Sequence, residues 1–322
     1  MCAGGWGGSV KLVSICIPCH NVAPYLAAAL DSVIAQTWQN LEIVVVNDGS
    51  TDGSTEILES YRTQGVKVIH ETLGSASKAR NRAYAEASGD YIKFFDADDL
   101  ISPRMIEYQI ARLNGRCDAV ASSEWGRFYN NDLTTFRPNP QSVWRDMRAT
   151  DWLIESWADA RPMQQPGIFL IPRKILEAAG PWDEELTLID DFEFFARVLC
   201  HAKDVHFASG ATLYYRSGLT GSLSGRKGKK AVESAFHSVD RATKHLLARR
   251  NDADARQACA NILQDFSHTY YPDHADLTLQ MECRAKDLGG STLSPEGPPN
   301  FQYLRKMIGW KLARRIQRAF NR

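Results

Sequence analysis

Over residues 12–123, short runs of Val, Ile and Leu alternate with longer stretches whose apolar positions recur every three or four residues. "LVSICIP" (12–18) precedes "PYLAAALDSVIAQ" (24–36), and "LEIVVV" (41–46) precedes "STEILESYRTQ" (54–64). "VKVIH" (66–70) precedes "SASKARNRAYAEAS" (75–88), and "YIKFF" (91–95) precedes "PRMIEYQIARLN" (103–114), with "CDAVASS" (117–123) closing the series. Period-two or continuous apolar runs of this length predict buried strands, and the three-to-four spacing predicts amphipathic helices. Such alternation predicts a mostly parallel sheet covered by helices, with right-handed crossovers. Gly65, Gly89 and Gly115 follow helical runs, where a left-handed C′ residue is expected. Ser102-Pro103 is expected to open the fourth helix as N-cap and N1.

Beyond residue 125 the pattern loosens. "QPGIFLIPRKILEAAG" (165–180) predicts a strand into a helix, "DDFEFFARVL" (190–199) a helix led by two aspartates, and "ATLYYRS" (211–217) a further strand. From 226 the chain reads as charged and helical, and "GGSTLSPEGPPN" (289–300) as a linker. No internal repeat is visible.

Composition narrows the class. The 322 residues are 44% hydrophobic and 24% charged with formal net charge zero, ordinary for a globular protein and no footprint for nucleic acid. Seven scattered cysteines in a long chain fit free thiols in a reducing compartment rather than a disulfide framework. The first ten residues show neither a cationic start nor an apolar run, so no signal peptide is expected, and no window has the length of a spanning helix. The expected location is cytoplasmic or peripheral on the inner face of a membrane. "CIPCH" (16–20) matches the spacing of a c-type haem anchor. Without an export signal or a second C-x-x-C, the preferred reading is a strand end with Cys16 as a small buried apolar residue.

In parallel sheets ligands collect at the carboxyl ends of the strands. Three polar loops fall there: "CHN" after the first strand, "NDGSTD" after the second and "DADD" after the fourth. Singly each could be a turn or a cap. Asp96 and Asp98, two residues apart, can hold one divalent cation, Mn²⁺ or Mg²⁺, whose remaining positions go to water and phosphate. Asp48 at a neighbouring strand end can accept hydrogen bonds from a base or ribose, and Arg80 and Arg82 can neutralise phosphate.

The blocks "VSICIPCHN" (13–21), "VVVNDGSTD" (44–52), "SKARNRAYAEASGDYIKFFDADD" (77–99) and "GPWDEEL" through "IDDFEFFARV" (180–198) are ordered and spaced as in one family. On them the chain resembles the family 2 glycosyltransferases, with the GT-A fold, over roughly residues 11–220. The resemblance implies that Pro18 and Asn21 shape a nucleotide pocket and that Asp48 pairs with the base, a uracil N3–H most naturally. Arg80 and Asn81 would border the donor. Asp96 and Asp98 would be the DxD pair, Asp96 on the ribose side and Asp98 on metal. Asp191 would be the general base of an inverting transfer, with Asp190 beside it. Trp182 and Arg216 would meet acceptor or diphosphate. Arg216, Ser222 and Ser224 stand where some relatives place a His. The donor implied is a nucleotide sugar, the acceptor a glycan or lipid-linked hydroxyl, and the setting polysaccharide or surface-glycan synthesis.

Other readings of single residues stay open: Asp190 as a helix N-cap and Asp191 as a first-turn helix acid, Trp182 as core, Asp99 as a loop or capping residue, His201 and His206 as structural. A catalytically silent nucleotide- or glycan-binding module is the alternative for the whole. A nucleotidyltransferase would want a glycine-rich loop where "PCHNVAPY" (18–25) has none, and a glycosidase would need no nucleotide pocket. The expected division is a flexible 1–10, a transferase domain over 11–225 (nucleotide-sugar half 11–100, acceptor half 101–225), a helical extension over 226–288, the linker 289–300 and a basic amphipathic helix over 301–322. That last segment carries seven basic residues and no acid, with Phe301, Leu304, Ile308, Leu312, Ile316 and Phe320 in one stripe. It can lie on an anionic membrane surface or pack on the protein.

Overall fold

The computed structural model describes residues 11–219 and 228–320. Along the chain run β1 (Val13–Cys19), α1 (Ala23–Ile34), β2 (Leu41–Asp48), α2 (Ser54–Tyr61), β3 (Val66–Glu71), α3 (Ala76–Ala85), β4 (Tyr91–Phe94), β5 (Leu100–Ile101) and α4 (Met105–Leu113). There follow β6 (Ala119–Tyr129), β7 (Asp132–Pro138), β8 (Met147–Arg148), α5 (Ala149–Ser156), β9 (Ile171–Pro172), α6 (Arg173–Ala179), α7 (Asp190–His201) and β10 (Asp204–Ser217). The rest is helical: α8 (Lys229–Arg249), α9 (Ala253–Tyr270), α10 (Ala275–Asp287), α11 (Pro299–Ile308) and α12 (Trp310–Phe320). Two compact units result. The first takes the described residues up to Asp146, with Gln165–Glu184 and Asp204–Leu219; the second takes Met147–Gln164, Glu185–Lys203 and the described residues from 228 on.

In the first unit one sheet runs β3-β2-β1-β4-β9, parallel except for β9. Val13, Ile15, Ile17, Val44, Val45 and Val46 are buried in it, because helices cover both faces of a parallel sheet and its strands need no polar alternation. A second sheet, β5-β10-β6-β7, contains the parallel pair β6–β10, interrupted by a register shift between Ala208 and Thr212. Gly65 and Gly115 adopt the expected left-handed conformation. Gly89 does not: a Cβ there would come within 2.5 Å of Ser14 Oγ, so this glycine allows close approach to β1 instead. Helix α4 starts at Met105, later than expected, and the Ser102 hydroxyl accepts the Thr212 N–H (3.0 Å) instead of capping it.

The second unit is built on α7, α8 and α9. Phe192 packs on Trp157 with ring centroids 5.0 Å apart, and buried Glu193 takes Arg197 (2.7 Å) and His245 (3.0 Å). The tail departs from the single helix expected: Gly309, at φ 80°, separates α11 from α12. Phe301 is buried under the Arg314 guanidinium (4.2 Å), Trp310 meets Tyr271 and His268 edge-on, and Lys311 pairs with Glu282 (2.6 Å). Tyr303, Met307, Ile308, Leu312 and Phe320 are exposed. No helix among the described residues is long and apolar enough to cross a membrane.

Candidate active site

Because β1, β2 and β4 are parallel and pair in register, with Cys19 opposite Asn47 and Cys16 opposite Phe94, their carboxyl ends share one edge. Pro18, Asn21, Asp48, Asp96 and Asp98 all lie there. Cys16 and Cys19 are buried; burial pushes the Cys19 thiol up to about 11 and the Cys16 thiol higher still, so neither is poised to form a thiolate ligand. Asn21 takes a left-handed φ of 52°, tolerable for Asn, and its side-chain oxygen accepts the Thr51 N–H (2.8 Å) while its own N–H donates to Ser50 Oγ (3.0 Å). That contact ties the loop after β1 to the loop after β2.

Asp48 is buried, with a carboxylate that accepts three backbone N–H groups. Leu73 (2.5 Å) and Gly74 (2.9 Å) donate to Oδ1, and Ser75 (3.0 Å) to Oδ2. A carboxylate has about four lone-pair directions, so one at Oδ2 stays open to a further donor. Asp48 therefore builds the β3–α3 loop as well as facing the edge. The sequence pattern gave no sign of this loop's role beyond its short polar residues and Gly74.

Helix α3 supplies the second layer. Arg80 Nη2 donates to Asp96 Oδ1 (2.8 Å), and the guanidinium lies 4.4 Å from the centroid of the Trp182 ring. Asn81, expected at the donor, has its amide committed to the protein: Nδ2 donates to the Trp182 carbonyl and to Glu184 Oε1 (both 2.9 Å), and Oδ1 accepts the Trp182 N–H (2.8 Å). Trp182 is 2% exposed and edge-on to Phe94 (5.3 Å), which is the core position.

Beside the Asp96–Asp99 turn lies Arg216, 3% exposed, its guanidinium against the rings of Tyr25 (4.7 Å) and Phe128 (4.6 Å). Its Nε donates to the Asp98 carbonyl (2.5 Å), its Nη1 to the Asn131 side chain, and its backbone N–H to Asp99 Oδ1 (2.7 Å). Asp99 thus ties its loop to the backbone of β10, and its burial, with Asp98 and Asp96 nearby, raises its pKa well above the carboxylate range. Burial first, and Asp96 second, push Asp98 up to about 6. Ser222 and Ser224 lie outside the described residues. His206 sits between Arg116 (2.8 Å) and Asp146 (3.5 Å), and the His201 ring contacts the Arg197 carbonyl (2.9 Å).

Asp190 and Asp191 belong to the second unit and open α7, where acids complement the helix dipole; Ile189 holds the N-cap position, so Asp190 is already inside the helix and does not cap it. Asp191 Oδ1 accepts the Phe192 N–H (2.9 Å). The turn that delivers them is unusual: Ile189, β-branched, sits at φ 48°, ψ 36°.

Comparison with known proteins gives the family and the fold. Residues 14–180, about half of the chain, match the profile described as "Glycosyl transferase family 2". Glycosyltransferase GlyG of Streptococcus pneumoniae is 36% identical over 206 residues, 62% of this chain and 61% of that protein. Putative glycosyltransferase EpsH of Bacillus subtilis is 28% identical over 236 residues, 70% of this chain and 66% of that protein. The chain thus spans less than two thirds of these relatives' length. Crystals of S. aureus TarS 1–349 superpose with a TM-score of 0.69 at 19% identity, covering 86% of this chain and 81% of that one. The chain belongs to glycosyltransferase family 2 and has the GT-A fold.

Proposed function

We propose that this protein transfers a sugar from a nucleotide sugar, a UDP-sugar in the first instance, to an acceptor hydroxyl with inversion, in the synthesis of a polysaccharide or surface glycan. The observation that carries the reading is the convergence of Asp48, Asp96 and Asp98 on one sheet edge. Similar folds in S. aureus TarS hold UDP-GlcNAc and UDP, which supports the choice of donor. Asp48 receives the base N3–H at the open lone pair of Oδ2, and Pro18 and Asn21 border the base. Arg80 holds Asp96 in place and adds positive charge beside the diphosphate.

Asp96 and Asp98 suit a hard divalent cation. They are oxygen donors, and the desolvation and mutual repulsion that push Asp98 up to about 6 would be offset by a bound cation. No group of three His, Cys, Asp or Glu forms a cluster among the described residues, so water and diphosphate oxygens would complete the shell. Mn²⁺ or Mg²⁺ held by Asp96 and Asp98 would supply Lewis-acid stabilisation of the departing diphosphate. Asp191 accepts the proton of the attacking acceptor hydroxyl, which is a poor nucleophile until that proton moves. Attack opposite the leaving group inverts the anomeric centre. Arg216 serves by fixing the turn that carries Asp98.

The tail is read as a membrane contact. The exposed Tyr303, Met307, Ile308, Leu312 and Phe320, with exposed Lys306 and Arg315, combine apolar surface with positive charge, as a segment on an anionic bilayer does. A lipid-linked acceptor would then be met at the membrane surface. The function is tested by incubating the protein with a panel of nucleotide sugars and Mn²⁺ or Mg²⁺, following nucleoside diphosphate release, and assigning the product anomer by NMR. Release with none of them, or a retained configuration, contradicts the reading.

A further inference from the structure

The residue before the Asp190-Asp191 pair is strained. Left-handed backbone suits Gly, Asn and Asp; a β-branched residue there is an outlier and is strained. Strain of this kind persists only where the surroundings over-determine it. For Ile189 the surroundings are two serines one turn apart on α8. Ser234 Oγ accepts the N–H groups of Thr187 (2.7 Å) and Leu188 (3.1 Å), and Ser238 Oγ donates to the Ile189 carbonyl (2.6 Å). Both serines are buried, at 5% and 0% exposure. Leu186 and Leu188 are buried on either side of Thr187, so the segment is also gripped by packing. The Phe192 N–H then closes onto the Ile189 carbonyl (3.2 Å) and α7 begins. A helix beyond the segment matched by the family profile thus holds three successive residues of the loop that aims the two aspartates.

We infer that Ser234 and Ser238 are positioning residues: they hold the strained Ile189 turn so that Asp191 is presented in one orientation for proton removal. The inference rests on the reading of Asp191 as general base. A displaced base loses rate steeply, because about 1 Å of misplacement can cost on the order of 10²-fold.

The experiment uses the full chain, with Asp191→Asn as reference. If that variant keeps its kcat, the base reading itself fails. If it loses kcat, the serines are judged on their own. Ser238→Ala and, separately, the milder Ser234→Ala should lower kcat by about 10- to 100-fold while UDP affinity by calorimetry stays within about two-fold of wild type. Adding Ile189→Gly to Ser238→Ala should recover most of the lost kcat, since glycine adopts the left-handed turn without strain and needs no splint. A general loss of packing would not be reversed by removing a further side chain. Unchanged kcat in both serine variants overturns the inference. So does a parallel fall of kcat, UDP affinity and melting temperature that Ile189→Gly fails to reverse.

Discussion

Replacing Lys93 by methionine should change how stability depends on pH, by an amount the structure allows to be worked out. Lys93 lies on β4, three residues before the DxD pair, and is 0% exposed. Its ammonium reaches the Gln109 side-chain oxygen (3.2 Å) and the Phe169 carbonyl (3.3 Å), both neutral. Burial lowers its pKa from 10.5 to about 7. The unfolded chain therefore binds more protons at this site between pH 7 and 10.5. Stability then rises with pH across that window, and the full penalty is present below it. At 1.36 kcal/mol per pKa unit the penalty at pH 6 is on the order of 5 kcal/mol. By pH 9 the folded side chain is neutral and roughly 2–3 kcal/mol of that penalty has been relieved. Methionine removes the titration and leaves two carbonyl-type acceptors without this donor, a loss of about 1–3 kcal/mol that does not vary with pH. Urea unfolding followed by tryptophan fluorescence at pH 6 and pH 9 separates the two. Wild type should gain on Lys93→Met by roughly 2 kcal/mol between these pH values. Parallel stability curves would refute the reasoning, since Lys93 would then keep its ordinary pKa inside the sheet.

Further outcomes follow from the site. Asp191→Asn should lower kcat by roughly 10²- to 10⁴-fold with near-normal donor binding; a lower melting temperature with kcat intact would return Asp191 to a helix-end role. Asn81→Ala removes both bonds to the Trp182 backbone and should destabilise the protein by about 1–3 kcal/mol, read by thermal unfolding. Asp48→Asn leaves one oxygen to accept three N–H groups and should weaken binding of uridine as well as UDP, measured by calorimetry. Met307→Ser with Leu312→Ser should reduce co-sedimentation with anionic vesicles, and raised salt should do the same to wild type; equal pelleting throughout would remove the membrane contact.

Much of the first unit was legible because β1 and β2 are apolar runs, the edge strand β3 alternates buried and exposed residues, and the helices between them carry apolar positions at helical spacing. What escaped did so for physical reasons. Strand β7, "DLTTFRP", is polar and largely exposed at a sheet edge, so no buried face marks it. Strand β10 begins at Asp204, but the register shift at Ala208 and the left-handed Gly210 hide its first half. The tail stripe continues through Gly309 at helical spacing, so the break was invisible; the fold buries Phe301 and Ala313 and turns Leu312 and Phe320 outward. That Asp48, Asp96 and Asp98 would gather at one sheet edge was readable from their loops. Their supports were not: the clamp of Asn81 on Trp182, the Arg216 guanidinium under the DxD turn, and the serines of α8 are long-range contacts with no local pattern.

Metal-dependent glycosyl transfer is tested most directly by nucleoside diphosphate release from UDP-sugars by wild type and Asp98→Ala, each with Mn²⁺ and with excess EDTA. Metal-dependent release by wild type, abolished both by EDTA and by Asp98→Ala, is the predicted result. Release that survives EDTA, or that Asp98→Ala leaves intact, would contradict it.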